Sequence, residues 1–264
     1  MDKLELNRIY FGDCLQLMKL IPDESIDMIL ADLPYGTTSC SWDSIIDMEK
    51  LWVEYRRLVK KTGAIVLTAS QPFSTMLIHP NIDIFKYSLV WKKSRPTGHV
   101  HAKNKPLKEH EDILVFSKGT TVHKSQSINR MTYNPIGATI VNKVSYRPSR
   151  EEKGSDVVAA HRPSHKNSFI REKEGYQRSV IEVPSEHNVG AYHHTQKPVL
   201  LFEKLILMYS NEGEIVLDNT AGGGTTAIAC LNTGRNYILM ENDPETYQKA
   251  YNRIVAHKNE LATN

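Results

Sequence analysis

Ile215-Val216-Leu217-Asp218-Asn219-Thr220-Ala221-Gly222-Gly223-Gly224-Thr225-Thr226 is the stretch that decides the fold. An apolar run suited to a buried strand meets an acid, then a glycine-rich turn, then Thr225–Thr233, which predicts a helix. Glycines allow positive φ and let a ligand come close to the main chain. A second strand over Asn236–Met240 then delivers Glu241-Asn242-Asp243 about 20 residues past the glycines, where an acid meets ribose hydroxyls in a dinucleotide-binding unit. Gly222-x-Gly224-x-x-Ala227 also fits the dinucleotide fingerprint, so a nicotinamide-dependent or flavin oxidoreductase is one reading. A helix entered through a glycine turn with no ligand is another. The acid at the strand end favours a nucleoside ligand without separating a dinucleotide from S-adenosylmethionine.

Strand and helix signals alternate on both sides of this unit. Arg8–Phe11, Ile26–Ala31, Ala64–Ala69, Ile84–Trp91 and Glu111–Phe116 read as strands. Helices are predicted at Cys14–Leu20, at Met48–Lys61 with Leu51, Trp52, Tyr55 and Leu58 on one face, and at Phe73–Ile78. After Glu214–Leu217, the last helix is predicted over Pro244–Lys258, with Asp243 as its N-cap. Such alternation implies an α/β fold with a mostly parallel sheet covered on both faces. From about Gly119 to Pro184 the periodicity is lost, and Ser, Arg, Lys, His and Pro dominate. The expected division is therefore 1–118, an inserted region 119–184, and 185–264.

The strand Ile26–Ala31 ends in Asp32-Leu33-Pro34-Tyr35, followed by Gly36. In open α/β sheets, ligands bind at the carboxyl ends of strands. A carboxylate, a backbone carbonyl in a fixed turn and an aromatic ring together suit an exocyclic amino group on a flat base. The first two accept its N–H bonds and the ring stacks. The same residues also form ordinary strand-to-loop turns.

The 264 residues carry a net charge of only +3, unevenly spread. Residues 92–178 hold 18 Lys and Arg against 8 Asp and Glu, together with six of the eleven histidines. This asymmetry points to a polyanion-binding insert, although a solvated loop would carry charge as well. Lys92, Lys93 and Arg95, with Lys103 and Lys105, are candidate phosphate contacts. The three cysteines form no metal-ligand spacing and none follows a proline, which disfavours a zinc site and a cysteine nucleophile acting on cytosine carbon 5. No apolar run reaches the roughly 20 residues of a membrane span, and the first residues lack a secretory pattern. A cytoplasmic location without membrane attachment is the expectation.

His193-His194-Thr195-Gln196-Lys197-Pro198 precedes an amphipathic helix running through Tyr209. Polar side chains and unpaired N–H groups at a helix start can hold a carboxylate. The paired histidines lack a Cys or acidic partner at ligand spacing, so no metal is expected.

The Asp32–Tyr35 block, the His-Thr-Gln-Lys-Pro block and the Asp218–Thr226 loop, in that order, resemble the β-class DNA amino-methyltransferases. Gly12-Asp13-Cys14 resembles that family's short element ahead of the catalytic block. The resemblance implies a Rossmann-like methyltransferase fold with circularly permuted motif order, a seven-stranded sheet and an inserted target-recognition region. It also implies S-adenosylmethionine as methyl donor and double-stranded DNA as substrate, within restriction-modification or phage-like systems; dimers are common in the family, so a homodimer is admitted.

By the same resemblance, Asp32 and the Leu33 carbonyl would accept the amine hydrogens, Pro34 would fix the turn and Tyr35 would stack on a flipped base. Asp13 and Cys14 would face the cofactor adenine, and Glu241 and Asn242 the ribose. Thr195, Gln196 and Lys197 would face the carboxylate, with Asp32, Asp218, Thr220, Gly222, Gly224 and Thr225 lining the rest. Two positions depart from the family pattern. Leu33 stands where proline is usual, and Asn219-Thr220 replaces Pro-Phe, a form similar to that of phage and prophage adenine methylases. Aspartate at position 32 favours N6-adenine over N4-cytosine, whose enzymes more often carry serine there.

Overall fold

In the computed structural model, which describes residues 4–34, 46–122, 128–146, 168–185 and 196–263, the strand signals become one eight-stranded sheet and a separate hairpin. The chain runs β1 (Arg8–Phe11), α1 (Cys14–Leu17), β2 (Ile26–Ala31), α2 (Met48–Leu58), β3 (Val59–Ala69), α3 (Phe73–Ile78), β4 (Phe85–Thr97) and β5 (Lys108–Phe116). It continues through β6 (Thr139–Tyr146), β7 (Ser168–Glu174), β8 (Val180–Glu182), α4 (Val199–Tyr209), β9 (Ile215–Asp218), α5 (Thr225–Thr233), β10 (Asn236–Glu241) and α6 (Pro244–Thr263).

The large sheet has the order β1-β10-β9-β2-β3-β5-β4-β8. Its neighbours are parallel from β1 to β3 and again between β4 and β8, while β5 runs against both of its partners. The sheet thus holds one strand more than the seven expected. The extra one, β8, pairs Val180 and Ile181 with Val90 and Trp91 at the edge. Three residues are too short to show an alternation, so only the tertiary partner defines this strand. A second departure concerns α2, whose expected end at Lys61 moves back to Leu58. Val59 is buried and pairs with Ile26, and the sheet claims this β-branched residue from the helix.

Alternate residues of each central strand face opposite layers. Ile29, Ala31, Ile65, Leu67, Leu114 and Phe116 share one apolar cluster with Met18, Leu51, Tyr55, Leu58, Phe73 and Leu77 of the α1–α3 side. On the other face, α4 packs against α5 and against β2 and β3. From β9 the chain winds through α5 to β10 on one side, whereas from β2 it winds through α2 to β3 on the other. The boundary between β9 and β2 is therefore the topological switch point, and the crevice beyond the carboxyl ends of these strands is where such sheets bind ligands.

The chain forms two compact units: one of residues 1–134 and 179–264, and one of residues 135–178. The smaller contains the antiparallel β6–β7 hairpin, in which Gly137 and Gly175, both at positive φ, pass close to each other. Residues 119–134 and 179–184, which the loss of periodicity groups with the insert, belong to the larger unit.

Asp27 ties the centre of the sheet together: it accepts from Lys60 Nζ at 2.6 Å and from the Ile215 amide at 3.0 Å. Beside it β3 shifts register, and a Cβ on Gly63 would stand 2.6 Å from the Asp27 carbonyl oxygen and 2.7 Å from Val59 Cγ2. A backbone oxygen cannot give way as a side-chain end can. Gly63→Ala is expected to cost roughly 1–3 kcal/mol in urea denaturation, in the range of other overpacked sites. Wild-type stability in this variant would show that the bulge relaxes freely.

Candidate active site

The parallel run from β1 to β3 brings four strand ends to one edge, and each supplies an acid expected from the sequence. Asp32 follows β2, Asp218 ends β9, Glu241 ends β10, and Asp13 stands two residues past β1. Asp32 and the glycine loop meet directly across the switch point, where Thr220 Oγ1 donates to the Asp32 carbonyl at 3.3 Å.

Both carboxylate oxygens of Asp32 are fixed. Thr68 Oγ1, fully buried in β3, donates to Oδ1 at 2.5 Å, and Lys197 Nζ donates to Oδ2 at 2.6 Å. Leu33 points its side chain into the core, with 2 % exposure. This accounts for a leucine where the family usually has proline, because here the turn is held by packing. Tyr35 and Thr195, like His193 and His194, lie outside the described residues.

Lys197 itself is buried. Its ammonium is 3.3 Å from Glu111 Oε2, and the other oxygen of Glu111 accepts from Lys93 Nζ at 2.5 Å. Four charges of alternating sign thus line up as Asp32, Lys197, Glu111 and Lys93. Burial pulls the Lys197 pKa down, but Asp32 and Glu111 outweigh it and leave it raised. For Glu111, burial pushes upward, and Lys197 and Lys93 prevail to hold it below the usual range. Lys197 and Glu111 therefore both stay charged at neutral pH.

The glycine loop is organised by its own acids. Asp218 accepts from the Thr220 amide at 3.0 Å and from Thr226 Oγ1 at 2.5 Å. Burial lifts its carboxyl to about 7, against the pull of those two bonds and with a smaller push from Asp32 and Glu241. Glu241 accepts from the Gly222, Asn242 and Asp243 amides, each at 2.9 Å. Burial raises its pKa too, opposed by the three amides. Gly222 and Gly224 sit at positive φ, and a Cβ on Gly222 would enter open space. Gln196 joins the loop from the other side: its Oε1 lies 3.1 Å from where a Gly223 Cβ would be. Arg253 of α6 donates to the Gly223 carbonyl at 2.8 Å and to Thr225 Oγ1 at 3.2 Å. Asp13 caps α1 by accepting from the Gln16 amide, and Cys14 is buried beneath Asn219.

Residues 26–252 match the family of DNA methylases of the N6/N4 methyltransferase type. The chain belongs to that DNA methylase family. The type II methyltransferase M.HinfI of Haemophilus influenzae is 28 % identical, with 94 % of this chain and 68 % of that protein covered. The DNA adenine methyltransferase YhdJ of Escherichia coli K12 is also 28 % identical, with 95 % and 83 % covered. Among solved structures, the M1.HpyAVI–SAM complex superposes with a TM-score of 0.60 at 23 % identity, covering 94 % of this chain and 98 % of that one. The family assignment sets aside the oxidoreductase that the glycine fingerprint alone admitted.

Within this methylase fold the candidate residues divide by where they point. Asp32, Lys197, Asp218, Thr220, Gly222, Gly224, Thr225, Glu241 and Gln196 gather at the switch-point crevice, and Asn242 is exposed beside it. Lys92, Arg95, Lys103 and Lys105 are exposed along the far part of β4 and the connection to β5. Lys93 departs from them: its side chain is 14 % exposed, turned inward to Glu111 and 5.1 Å from the Trp91 ring. Alternation along β4 reverses its direction relative to Lys92, and the basic run hid this. Thr68, Glu111 and Arg253 were missed because their importance comes from distant partners. Among the described residues no group of three His, Cys, Asp or Glu could hold a metal ion, and no helix is long and apolar enough to cross a membrane.

The raised carboxyl of Asp218 has a consequence for stability. An acid that keeps its proton longer folded than unfolded loses stability as pH climbs from the ordinary aspartate range to its folded value. Between pH 4 and pH 8 the stability difference between Asp218→Asn and wild type is therefore expected to move in the variant's favour, by up to about 4 kcal/mol. Denaturant titrations of both proteins across that range measure it. A pH-independent difference would mean Asp218 titrates as an ordinary aspartate.

Proposed function

We propose that this chain is a site-specific DNA methyltransferase that moves the methyl group of S-adenosylmethionine to the N6 amine of an adenine flipped out of duplex DNA. The observation that carries this reading is Asp32, fixed at both oxygens, facing the Asp218–Thr225 glycine loop across one crevice. Family membership supports methylation of DNA. Aspartate at position 32 and the likeness to an enzyme described as a DNA adenine methyltransferase favour adenine.

The residues present fit a nucleoside with a charged tail. Gly222 leaves open space over the loop, and Gln196 lies against Gly223. Glu241 ends β10 and Asn242 follows it at the same edge, both assigned to the ribose by the family resemblance. With Lys197 engaged by Asp32 and Glu111, Gln196 and Thr195 carry more of the carboxylate contact, and Asp13 and Cys14 border the adenine end. When bound, the donor supplies a methyl group already activated as a sulfonium. The protein's share is positioning and charge stabilisation.

An exocyclic amine is a poor nucleophile because its lone pair is spread into the ring. A carboxylate has about four acceptor sites, and Thr68 and Lys197 use one on each oxygen of Asp32. Held in that orientation, the carboxylate accepts one amine hydrogen in a fixed direction, and the Leu33 carbonyl accepts the other. This draws the nitrogen towards tetrahedral geometry and aims its lone pair at the methyl group. Pro34 limits the turn, and Tyr35 stacks on the base. Extrusion of the base costs a few kcal/mol, offset by that stacking and by phosphate contacts from Lys92, Arg95, Lys103 and Lys105. The compact unit of residues 135–178 is the candidate for sequence readout.

Asp32→Ala is expected to lower methyl transfer to duplex DNA by at least a thousandfold, with S-adenosylmethionine affinity changed less than threefold. Tritium incorporation and equilibrium binding measure the two quantities. Activity within tenfold of wild type would remove Asp32 from the chemistry. Incorporation into duplexes lacking adenine would reassign the reaction to the N4 amine of cytosine.

A further inference from the structure

We infer that Glu111 is a positioning residue for methyl transfer, acting through Lys197 to hold the Asp32 carboxylate in place as an acceptor that does not rotate. The inference rests on the amine-methylation reading above and extends it to a residue two strands away from the one that ends in Asp32. Glu111 is in β5, two strands away from β2, and is 8 % exposed. One of its oxygens lies 3.3 Å from Lys197 Nζ, and Lys197 Nζ is 2.6 Å from Asp32 Oδ2. The other oxygen accepts from Lys93 at 2.5 Å, which pins the carboxylate at its far side.

Asp32 alone is a poor fixture for Lys197. A buried ammonium with one partner loses much of its solvation and is free to swing about that partner. A second carboxylate within ion-pair distance gives Nζ two anions to stay between, which narrows its position and keeps it charged. Asp32 is then clamped between a hydroxyl on a buried strand and an immobile cation. Among the described residues, the charged groups facing Lys197 are Asp32 after β2, Glu111 on β5, Lys93 on β4 and Lys108 on β5. Lys108 and Lys197 repel each other, and without the Glu111 charge Asp32 is the carboxylate left within ion-pair distance of Lys197 among the described residues.

The test uses the whole chain with S-adenosylmethionine and a duplex that wild type methylates. Single-turnover rates are measured from pH 6 to pH 10 for wild type, Glu111→Gln, Glu111→Asp, Lys197→Met and the Glu111→Gln/Lys197→Met pair. Melting temperature and donor affinity are measured alongside. Glu111→Gln is expected to slow transfer tenfold or more with donor affinity within threefold. Its rate should also fall on the alkaline side at a lower pH than in wild type, as Lys197 loses its proton early. Glu111→Asp, which keeps the charge, should retain the wild-type alkaline behaviour even if it is slower. The double variant should be no more than twofold slower than Lys197→Met, because Glu111 acts through the lysine.

A wild-type rate and pH profile in Glu111→Gln would overturn the inference while leaving the methylation reading intact. So would full additivity in the double variant, or a loss matched by falling donor affinity and melting temperature. If Glu111→Gln does not fold, Glu111→Asp decides: an early alkaline fall in that variant overturns the proposal. An Asp32→Ala enzyme with full activity would instead overturn the methylation reading and the inference with it.

Discussion

A lysine ammonium taken out of water must be answered by anions, and around Lys197 this requirement shapes the active edge of the sheet. Each buried ion gives up several kcal/mol of hydration even after the surroundings relax. Asp32 and Glu111 offset that loss, and Lys93 offsets the second carboxylate in turn. The chain of alternating charges joins the end of β2, the segment ahead of α4, β5 and β4, which are scattered over the whole sequence. Asp218, in the same crevice, meets burial differently. Among the described residues it has no ion-pair partner, only a hydroxyl and an amide, so its carboxyl drifts up to about 7. Neighbouring acids on adjacent strands thus meet burial with different partners, a lysine ammonium for Asp32 and dipoles for Asp218.

The loop's departure from the family pattern has a structural counterpart. Where Pro-Phe is usual, Asn219 turns inward with 2 % exposure. Its Oδ1 accepts from the Tyr55 hydroxyl at 2.5 Å, and its Nδ2 donates to Cys14 Sγ at 3.6 Å. A proline stiffens a turn through its own ring, whereas Asn219 is held by side chains from α1 and α2. The loop's shape therefore depends on a fully buried tyrosine a hundred and more residues away in sequence.

Much of this architecture was readable because it is local. The run Ile215–Asp218, the glycines and the Asp243 cap, whose carboxylate accepts from the Thr246 amide at 2.8 Å, each declare themselves within a few residues. So does Asp32 at the end of a wholly buried strand. What escaped is non-local. Glu111 looks like any acid in Lys108–Asp112 until β4 and Lys197 close around it. Lys93 looks like its neighbour Lys92 until the pleat turns the two apart. The end of α2 at Leu58 was set by the pairing of Val59 with Ile26, which no helical spacing reports. Residues 135–178 carry a hairpin whose strands are too polar to alternate visibly.

The two points where that smaller unit leaves the larger one are firmly stapled. The Asn134 amide donates to the Met208 carbonyl at 2.7 Å, and its side chain donates to the carbonyls of Leu207 and Ser210. On the return side, the Ser179 carbonyl accepts from the Val90 amide at 2.8 Å, and the Trp91 indole donates to the Val183 carbonyl. Both attachment points are thus anchored by hydrogen bonds made wholly inside the larger unit, so a change of sequence or length between them removes none of these donors or acceptors.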